Sequence, residues 1–394
     1  MSVSSGAGGP TETSPDVPFS LGGTVTSAEA TPASAPISEI GVELVQALLV
    51  DAPPDWLAMA ATFSLTVDRA NALVVFATPT GNVRTLATPE AFDLVRARRE
   101  RDIATGRGLW WRMMVGVQHG ESPVSDFDFG DAPFSAEFLF APEDYRADIA
   151  AHPDSAVPVW LAAYAFHEGR QHRRPREAAQ ASSVLAGADD QWPDRDLMWA
   201  RWSAVSAFAA ATGSVAGPSI APSIGIFESS SGSGSTFVLL PSGRAVLSGG
   251  VADDPELRDA YLGGSRLPDL FAGAPIWVCD STLNVRLESG MLSFCWWYDD
   301  GHWYRAQSPD AVSCAVAVPA ILSTDDAVRT LAGMLSDHPS ANPAMLADAF
   351  VGAVESGTLT RTLVETVLPR AQGYDTDAAL VSLSVAGHFN DREG

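Results

Sequence analysis

The first patterned segment of the chain predicts a helix that ends at a pair of prolines. Ile40, Leu44 and Leu48 recur at the spacing of one helical face. The residue before a proline avoids helical backbone angles, so Pro53 and Pro54 mark a stop. Ordered structure is therefore expected to begin near residue 37 with a short amphipathic helix.

A β-meander is predicted directly after this helix. Residues 56–67 and 72–77 are rich in apolar and strand-favouring side chains, and a turn at 68–71 separates them. A second turn at 79–82 leads into a third short strand at 83–86. Strands joined by short turns indicate an antiparallel sheet.

A second helix and a hairpin complete the first module. Pro89 opens a helix that runs to about residue 104, and its arginine-rich end suits the negative pole of the helix dipole. Strands at 109–118 and 123–129 follow, and then a short helix at 142–151. We therefore predict that 37–166 form an α+β module whose helices lie on one face of the sheet.

The second half of the chain has its own run of strands followed by helices. Residues 167–223 are predicted to form a helical connector and a Gly/Pro/Ser linker, 224–308 an antiparallel β-rich module, and 309–394 a helical region packed on it. Asp299-Asp300-Gly301 is a strong hairpin signal. The predicted fold class is α+β: two modules that each carry an antiparallel sheet with helices, and a helical C-terminal region. The strands of the second module are predicted at 224–228, 236–240, 244–247, 276–279, 282–287, 291–298 and 302–306.

The acidic balance of the chain bears on its partners. Acidic residues number 48 against 24 basic ones, which gives a formal net charge of −24. Nucleic-acid backbones need a basic face, so nucleic acid is not an expected partner. A basic protein partner would be steered towards this surface, although an acidic surface also serves solubility alone. The chain has no apolar run of about 18 residues, so no membrane association is expected.

The N-terminal segment and the cysteines favour a cytoplasmic protein. Residues 1–36 are rich in Gly, Pro, Ser and Thr, and their few apolar side chains predict a disordered tail. No basic stretch followed by an apolar one, as in a secretory signal, is seen there. Cys279, Cys295 and Cys314 form no C-x-x-C pair and match no zinc signature, so free thiols in a reducing compartment are expected.

Motifs that would carry catalysis, a cofactor or a metal are not found in the sequence. The G-x-S-x-G elbow, the P-loop and the dinucleotide fingerprint are absent. His167 and His172 are five residues apart, whereas a zinc-binding helix pair needs about four, so that both nitrogens project from one face. We predict a protein that is not an enzyme and has no cofactor, while a site assembled only by folding stays an open alternative.

Three aspartates crowd the end of one predicted strand. Alternation places Asp126 and Asp128 on the same face, with Phe127 and Phe129 on the other. Asp131 stands where an EF-hand loop would need glycine, so a calcium loop is not predicted. The remaining interpretations are an acidic interaction edge and a solvated strand face.

Two pairs of adjacent tryptophans are further candidates for partner binding. Trp110 and Trp111 lie in the first module, and Trp296 and Trp297 lie in the second. Adjacent strand residues point to opposite faces, so one tryptophan of each pair should enter the core and the other should lie outside it. The outer one is either an interface anchor or covered by a neighbouring helix.

Several short motifs between residues 108 and 161 occur in a familiar order. Gly108-Leu109-Trp110-Trp111 precedes an apolar strand, Asp126-Phe127-Asp128-Phe129 and Ala132-Pro133-Phe134 follow, and Val157-Pro158-Val159-Trp160-Leu161 ends the series. This order resembles the YezG-like immunity (antitoxin) proteins, over roughly residues 40–165. The resemblance implies a small α+β antitoxin that sequesters a secreted polymorphic toxin. The family's Phe-Pro-Arg is His152-Pro153-Asp154 here, and the family is normally a single module.

These observations lead to three hypotheses about function. The first is an intracellular immunity protein that binds a toxin domain. The second is a secretion-system chaperone or adaptor that grips a helical substrate segment with residues 309–394. The third is an enzyme with an unrecognised site. The candidate partner-binding residues for the first hypothesis are Trp110, Trp111, Asp126, Asp128, Asp131, Trp296 and Trp297.

Overall fold

The computed structural model describes residues 39–173, 176–177, 180, 187–214, 216–335 and 342–389, so the predicted tail 1–36 lies outside the described residues. The chain divides into two compact units. The first takes in the described residues up to Gly130, with Ser135–Phe140 and Ala150–Ala156. The second takes in Asp131–Phe134, Ala141–Ile149 and the described residues from Val157 onward.

A five-stranded antiparallel sheet with the strand order β3-β2-β1-β4-β5 forms the first unit, together with two helices. The meander and the hairpin predicted from the sequence are both present. The elements are helices α1 (Glu39–Leu49) and α2 (Pro89–Ala104) and strands β1 (Ala58–Leu65), β2 (Ala70–Thr78), β3 (Gly81–Thr85), β4 (Arg112–Gln118) and β5 (Val124–Asp128).

A capping residue sets the start of α2, and the apolar side chains of α2 pack against the sheet. The Thr88 hydroxyl accepts the N–H of Ala91 at 3.2 Å, and Pro89 occupies the first turn, where its missing N–H costs nothing. Phe92 meets Phe63 of β1 edge to face, with ring centroids 5.7 Å apart. Both α1 and α2 contribute to the core on this inner face of the sheet.

The second unit is built on a six-stranded antiparallel sheet with the order β11-β10-β9-β8-β7-β6. The α+β prediction, with two antiparallel sheets and a helical C-terminal region, is confirmed. The strands are β6 (Gly217–Ala221), β7 (Ile224–Glu228), β8 (Gly234–Leu239), β9 (Ala245–Gly250), β10 (Phe294–Asp299) and β11 (His302–Arg305). The helices from α3 onward are α3 (Pro142–Ala151), α4 (Val159–Phe166), α5 (Arg195–Thr212), α6 (Pro255–Leu262), α7 (Ala311–Cys314), α8 (Thr324–Met334), α9 (Pro343–Glu355), α10 (Arg361–Val367) and α11 (Thr376–Val385).

Both faces of the six-stranded sheet are covered. On one face, Trp202 of α5 lies against Phe237, and its ring comes so close to Gly225 that an added Cβ would sit 2.6 Å from it. On the other face, residues between 270 and 292 pack against Val246, Cys295 and Trp297. The sheet is therefore buried between two layers, so the tryptophans of its strands are shielded from solvent whichever face they point to.

Two segments of the second unit differ from the predicted secondary structure. Residues 276–279 and 282–287, predicted as strands, contain short 3₁₀ helices at Ile276–Cys279 and Val285–Leu287. Asn284 explains the difference, because its side-chain amide donates to the carbonyls of Val278 and Asp280 at 2.7 and 2.8 Å and holds the backbone in a compact turn. Within the predicted helical connector and linker 167–223, the described residues 187–194 precede α5 without forming a helix, and Gly217–Ala221 form strand β6, which pairs with β7.

Helices α8 to α11 and α5 share one apolar core. Each of the four C-terminal helices begins at a polar N-cap whose side chain accepts a backbone N–H, as the start of a helix requires. None of the described helices combines the length and the apolar character needed to cross a lipid bilayer. The N-caps are Ser323, Asn342, Thr360 and Asp375.

Candidate functional site

Trp110 belongs to the core of the first unit. Its indole N–H donates to the Asp102 carboxylate at 3.2 Å, and Asp102 also accepts Nε–H of Arg98 at 2.7 Å. The carbonyl of Trp110 accepts Nε–H of Arg99 at 2.9 Å, and its ring lies 5.3 Å from that of Phe127. These groups are buried or half-buried, so this network is a structural cross-brace between α2 and the sheet.

The prediction that one tryptophan of each pair lies outside the core is wrong. Trp110 and Trp111 are 0% and 1% exposed, and Trp296 and Trp297 are 0% and 2% exposed. Alternation itself holds for the second pair, since Trp296 and Trp297 enter the cores on opposite faces of the six-stranded sheet. Trp296 and Trp297 do point to opposite faces, but packed residues cover both faces of this sheet. None of the four tryptophans is an exposed anchor.

Asp128 is engaged within the sheet. It lies directly opposite Arg112 across the β4–β5 pair, and Arg112 donates to its carboxylate from both Nε, at 2.8 Å, and Nη2. The side chains are 16% and 15% exposed, so the pair is shielded from solvent. The register explains the contact, because Arg112 and Asp128 are equidistant from the turn at Gly120. Asp128 is a brace of this hairpin, and a partner would have to break the pair to use it.

Asp126 and Asp131 remain available at the surface. Asp126 is exposed on the same strand face as Asp128, and its carboxylate accepts the N–H of Phe127 at 2.9 Å. No ion pair is recorded for Asp126 among the described residues. Asp131 is also exposed and is counted with the second unit. Of the three predicted aspartates, Asp126 is the one that the first unit's sheet presents with a free charge.

The outer face of the five-stranded sheet lies opposite the face that α1 and α2 cover. Its central side chains are partly exposed, and they are not part of the core that the inner face forms with these helices. One cross-strand row of side chains consists of Leu73, Thr62, Met114 and Asp126. The free carboxylate of Asp126 therefore ends a row in which Leu73 and Met114 are apolar and Thr62 is uncharged. We call this surface the open face; its members are Ala58, Ala60, Thr62, Leu73, Val75, Ala77 and Met114.

The open face was not among the sites predicted from the sequence. The segment from Ala72 to Ala77 is apolar without interruption, which for an antiparallel sheet is typical of burial on both faces. In the structure Val74 and Phe76 are buried, while Leu73 and Val75 stay partly exposed. The unbroken apolar run was the available signal of an apolar surface, but the sequence did not say which side would stay open.

The ionisable groups of the second unit include three cysteines and a histidine in contact with a tyrosine hydroxyl. The described His, Cys, Asp and Glu side chains include no group of three that could hold a metal ion. Burial raises the pKa of the thiols Cys279, Cys295 and Cys314, the last to about 12, so they are protonated and poorly nucleophilic at neutral pH. His167 contacts the Tyr261 hydroxyl at 3.2 Å, and Tyr261 donates to the carbonyl of Gly290 at 2.7 Å.

Two buried histidines should make stability depend on pH. Burial is the main cause that lowers the pKa of both His167 and His388 below the ordinary 6.5. A lowered folded-state pKa means that stability is complete above the unfolded pKa and is lost as the pH falls through the folded one. Urea titrations between about pH 7.5 and about pH 5.5 should therefore show declining stability. A His167→Gln/His388→Gln variant should flatten this profile; an unchanged slope would contradict the assignment.

Comparison of the chain with protein-family models, with curated proteins and with solved structures gives no match. The candidate site is therefore defined by its geometry alone. That geometry offers an apolar sheet face with a free carboxylate at its edge.

Proposed function

We propose that this chain is a non-enzymatic binding protein, an immunity protein that neutralises a toxin domain by covering it with the open face. The observation that carries the proposal is the row in which Leu73, Thr62 and Met114 lead to the free carboxylate of Asp126. Protein interfaces combine such an apolar centre with a polar rim. An immunity protein needs this surface and no catalytic groups.

The net charge of the chain indicates which kind of protein it would bind. The net charge of −24 attracts a basic protein over long range. Asp126 supplies a local negative contact on one rim of the open face, while Arg84, which lies beside Val75, is exposed on the other. The proposed toxin domain therefore carries a basic patch next to an apolar one, and its binding weakens as salt is added.

Copurification with the toxin-like product of an adjacent gene tests the proposal. Val75→Arg places a charge in the centre of the open face, and Asp126→Arg reverses the charge at its rim. Both should weaken binding by at least about tenfold, because an unpaired charge is buried or a charge pair becomes repulsive. Glu100→Arg is the matched control for Asp126→Arg, since it changes the net charge by the same amount at an exposed position on α2.

A further variant distinguishes the proposed immunity protein from the secretion-system adaptor. Val312 and Val316 are 76% and 54% exposed beside a groove of about 280 Å³ lined by Ala315, Val318 and Ile321. Loss of binding in Val316→Asp, with normal binding in Val75→Arg, would favour a helix-binding adaptor. Deleting 309–394 is a poor test, because those helices share a core with α5. A full-length chain that binds no neighbouring gene product would contradict both proposals.

A further inference from the structure

The four sheet edges of this protein are protected to different degrees. Edge strands expose unpaired N–H and C=O groups, and proteins normally cover, charge or cap them. At β11, the N–H of Asp189 donates to the carbonyl of Trp303 at 2.7 Å, and the Asp190 carboxylate accepts the N–H of Trp303 at 2.8 Å. At β6, helix α5 packs against the strand. The β11 edge is thus covered by hydrogen bonds with Asp189 and Asp190.

The edges of the five-stranded sheet differ from each other. At β5 the carboxylate of Asp126 accepts the N–H of Phe127, which satisfies a backbone donor and adds a negative charge. Strand β3 carries the exposed charge of Arg84, but none of its side chains caps a backbone donor of the strand. Val83 is 39% exposed, and Leu86, just beyond the strand, is 88% exposed. Apart from its ladder with β2 and the Thr78 hydroxyl bound to Gly81, no hydrogen bond to β3 is recorded among the described residues.

Strand β3 is suited to pair with a copy of itself. In an antiparallel pair centred on Val83, each Val83 faces the other, and Arg84 faces Asn82 of the second copy. Like charges are never directly opposite in this register, which is the first requirement of a cross-strand pair. The same pairing at β5, centred on Asp126, would place two carboxylates opposite each other. Self-complementarity therefore favours β3.

We propose that the protein forms a twofold dimer through β3, which joins two five-stranded sheets into one continuous antiparallel sheet. The interface is isologous, since the same strand serves in both copies. The twofold axis stands perpendicular to the sheet, so both open faces lie on the same side. Helix α2 packs on Phe63 of β1, two strands in from this edge, and the open face is left uncovered. This inference does not depend on the proposed function.

The dimer should respond to salt in the direction opposite to partner binding. Each copy carries a formal charge of −24, so the two copies repel each other at long range. The paired strand adds no ion pair that salt could weaken. Raising the ionic strength from about 50 mM to about 500 mM shortens the screening length and should tighten the dimer. Toxin binding steered by charge should weaken over the same range, so the two proposals can fail separately.

Sedimentation velocity of the full chain tests the dimer with a matched pair of variants. Val83→Lys sets two like charges opposite each other and should raise the dimer dissociation constant at least about tenfold. Val124→Lys, on the other edge strand at a residue 36% exposed, should leave it unchanged. Mixing Val83→Lys with Val83→Glu should restore the dimer. Circular dichroism checks that each variant is folded.

A cysteine substitution provides a second readout. Opposed residues of an antiparallel pair lie about 4.5–5.5 Å apart between Cα atoms, within the range of a disulfide. Val83→Cys should therefore cross-link two copies under mild oxidation, and Val124→Cys should not. A wild-type chain that stays monomeric up to about 100 μM in high salt would overturn the proposal. A dimer that survives Val83→Lys would overturn it as well.

Discussion

Replacing Arg201 with methionine is expected to lower the opening free energy of α5 by about 3–5 kcal/mol. Arg201 is 7% exposed, and its Nε–H donates to the Glu355 carboxylate at 2.6 Å. Its remaining donors reach the carbonyls of Ile321 and Leu322 and the hydroxyl of Thr324, each at 3.1 Å. Removing the guanidinium leaves a largely buried carboxylate and two carbonyls without their donor, which costs far more than an exposed ion pair is worth.

Hydrogen exchange of the α5 amides, followed by mass spectrometry, measures this loss locally. The matched control is Arg329→Met, because Arg329 pairs with Asp326 but is 74% exposed, and the change should stay within about 1 kcal/mol. Replacing Glu355 by glutamine in the Arg201→Met background should recover part of the loss, since no unpaired charge is left buried. Equal effects of Arg201→Met and Arg329→Met would contradict this account.

Replacing Trp110 with alanine should destabilise the first unit by about 3–5 kcal/mol, the usual cost of truncating a buried tryptophan. The indole is fully buried against Phe127, and its N–H is bonded to Asp102. Trp110→Phe keeps an aromatic ring and loses the N–H donor, so its cost should be smaller, about 1–2 kcal/mol. A loss of this size would identify Trp110 as a core residue, because removing a surface anchor would leave the free energy of unfolding nearly unchanged.

The exchange rates of the β1 and β4 amides report this effect. Leu86→Ala serves as the control, because Leu86 is 88% exposed in the described structure and its truncation should change stability by less than about 0.5 kcal/mol. If Trp110→Ala exchanged like Leu86→Ala, the interpretation of Trp110 as a structural brace would be wrong.

Much of the secondary structure was predictable because its signals are local. Helix α9 (Pro343–Glu355) lies inside the region 309–394 that was predicted to be helical, since a proline in the first turn and apolar spacing define it without help from the rest of the chain. The segment Ile276–Cys279 was predicted as a strand and forms a turn of 3₁₀ helix. The deciding contact there is the Asn284 side chain, whose preference for nearby carbonyls leaves no periodic pattern.

The candidate site was predictable only in part. Strand alternation correctly placed Asp126 and Asp128 on one face, and counting from the turn at Gly120 could have paired Asp128 with Arg112. The open face was not predictable, because the unbroken apolar run 72–77 is compatible with either side of the sheet being covered. The proposed dimer through β3 was not predictable either, because it requires β3 to lie at an edge of the sheet. The strand order is set by the pairing of strands that are distant in the sequence.

By itself, the sequence determined the helices, the meander, the hairpin and the acidic charge, because periodicity, turn residues and composition act over a few neighbouring residues. The tertiary structure decided which sheet faces are covered, and therefore that Trp296 and Trp297 are both buried while Leu73 and Val75 stay partly exposed. The physical reason is that alternation assigns a side chain to a face, whereas burial depends on which distant segment packs on that face.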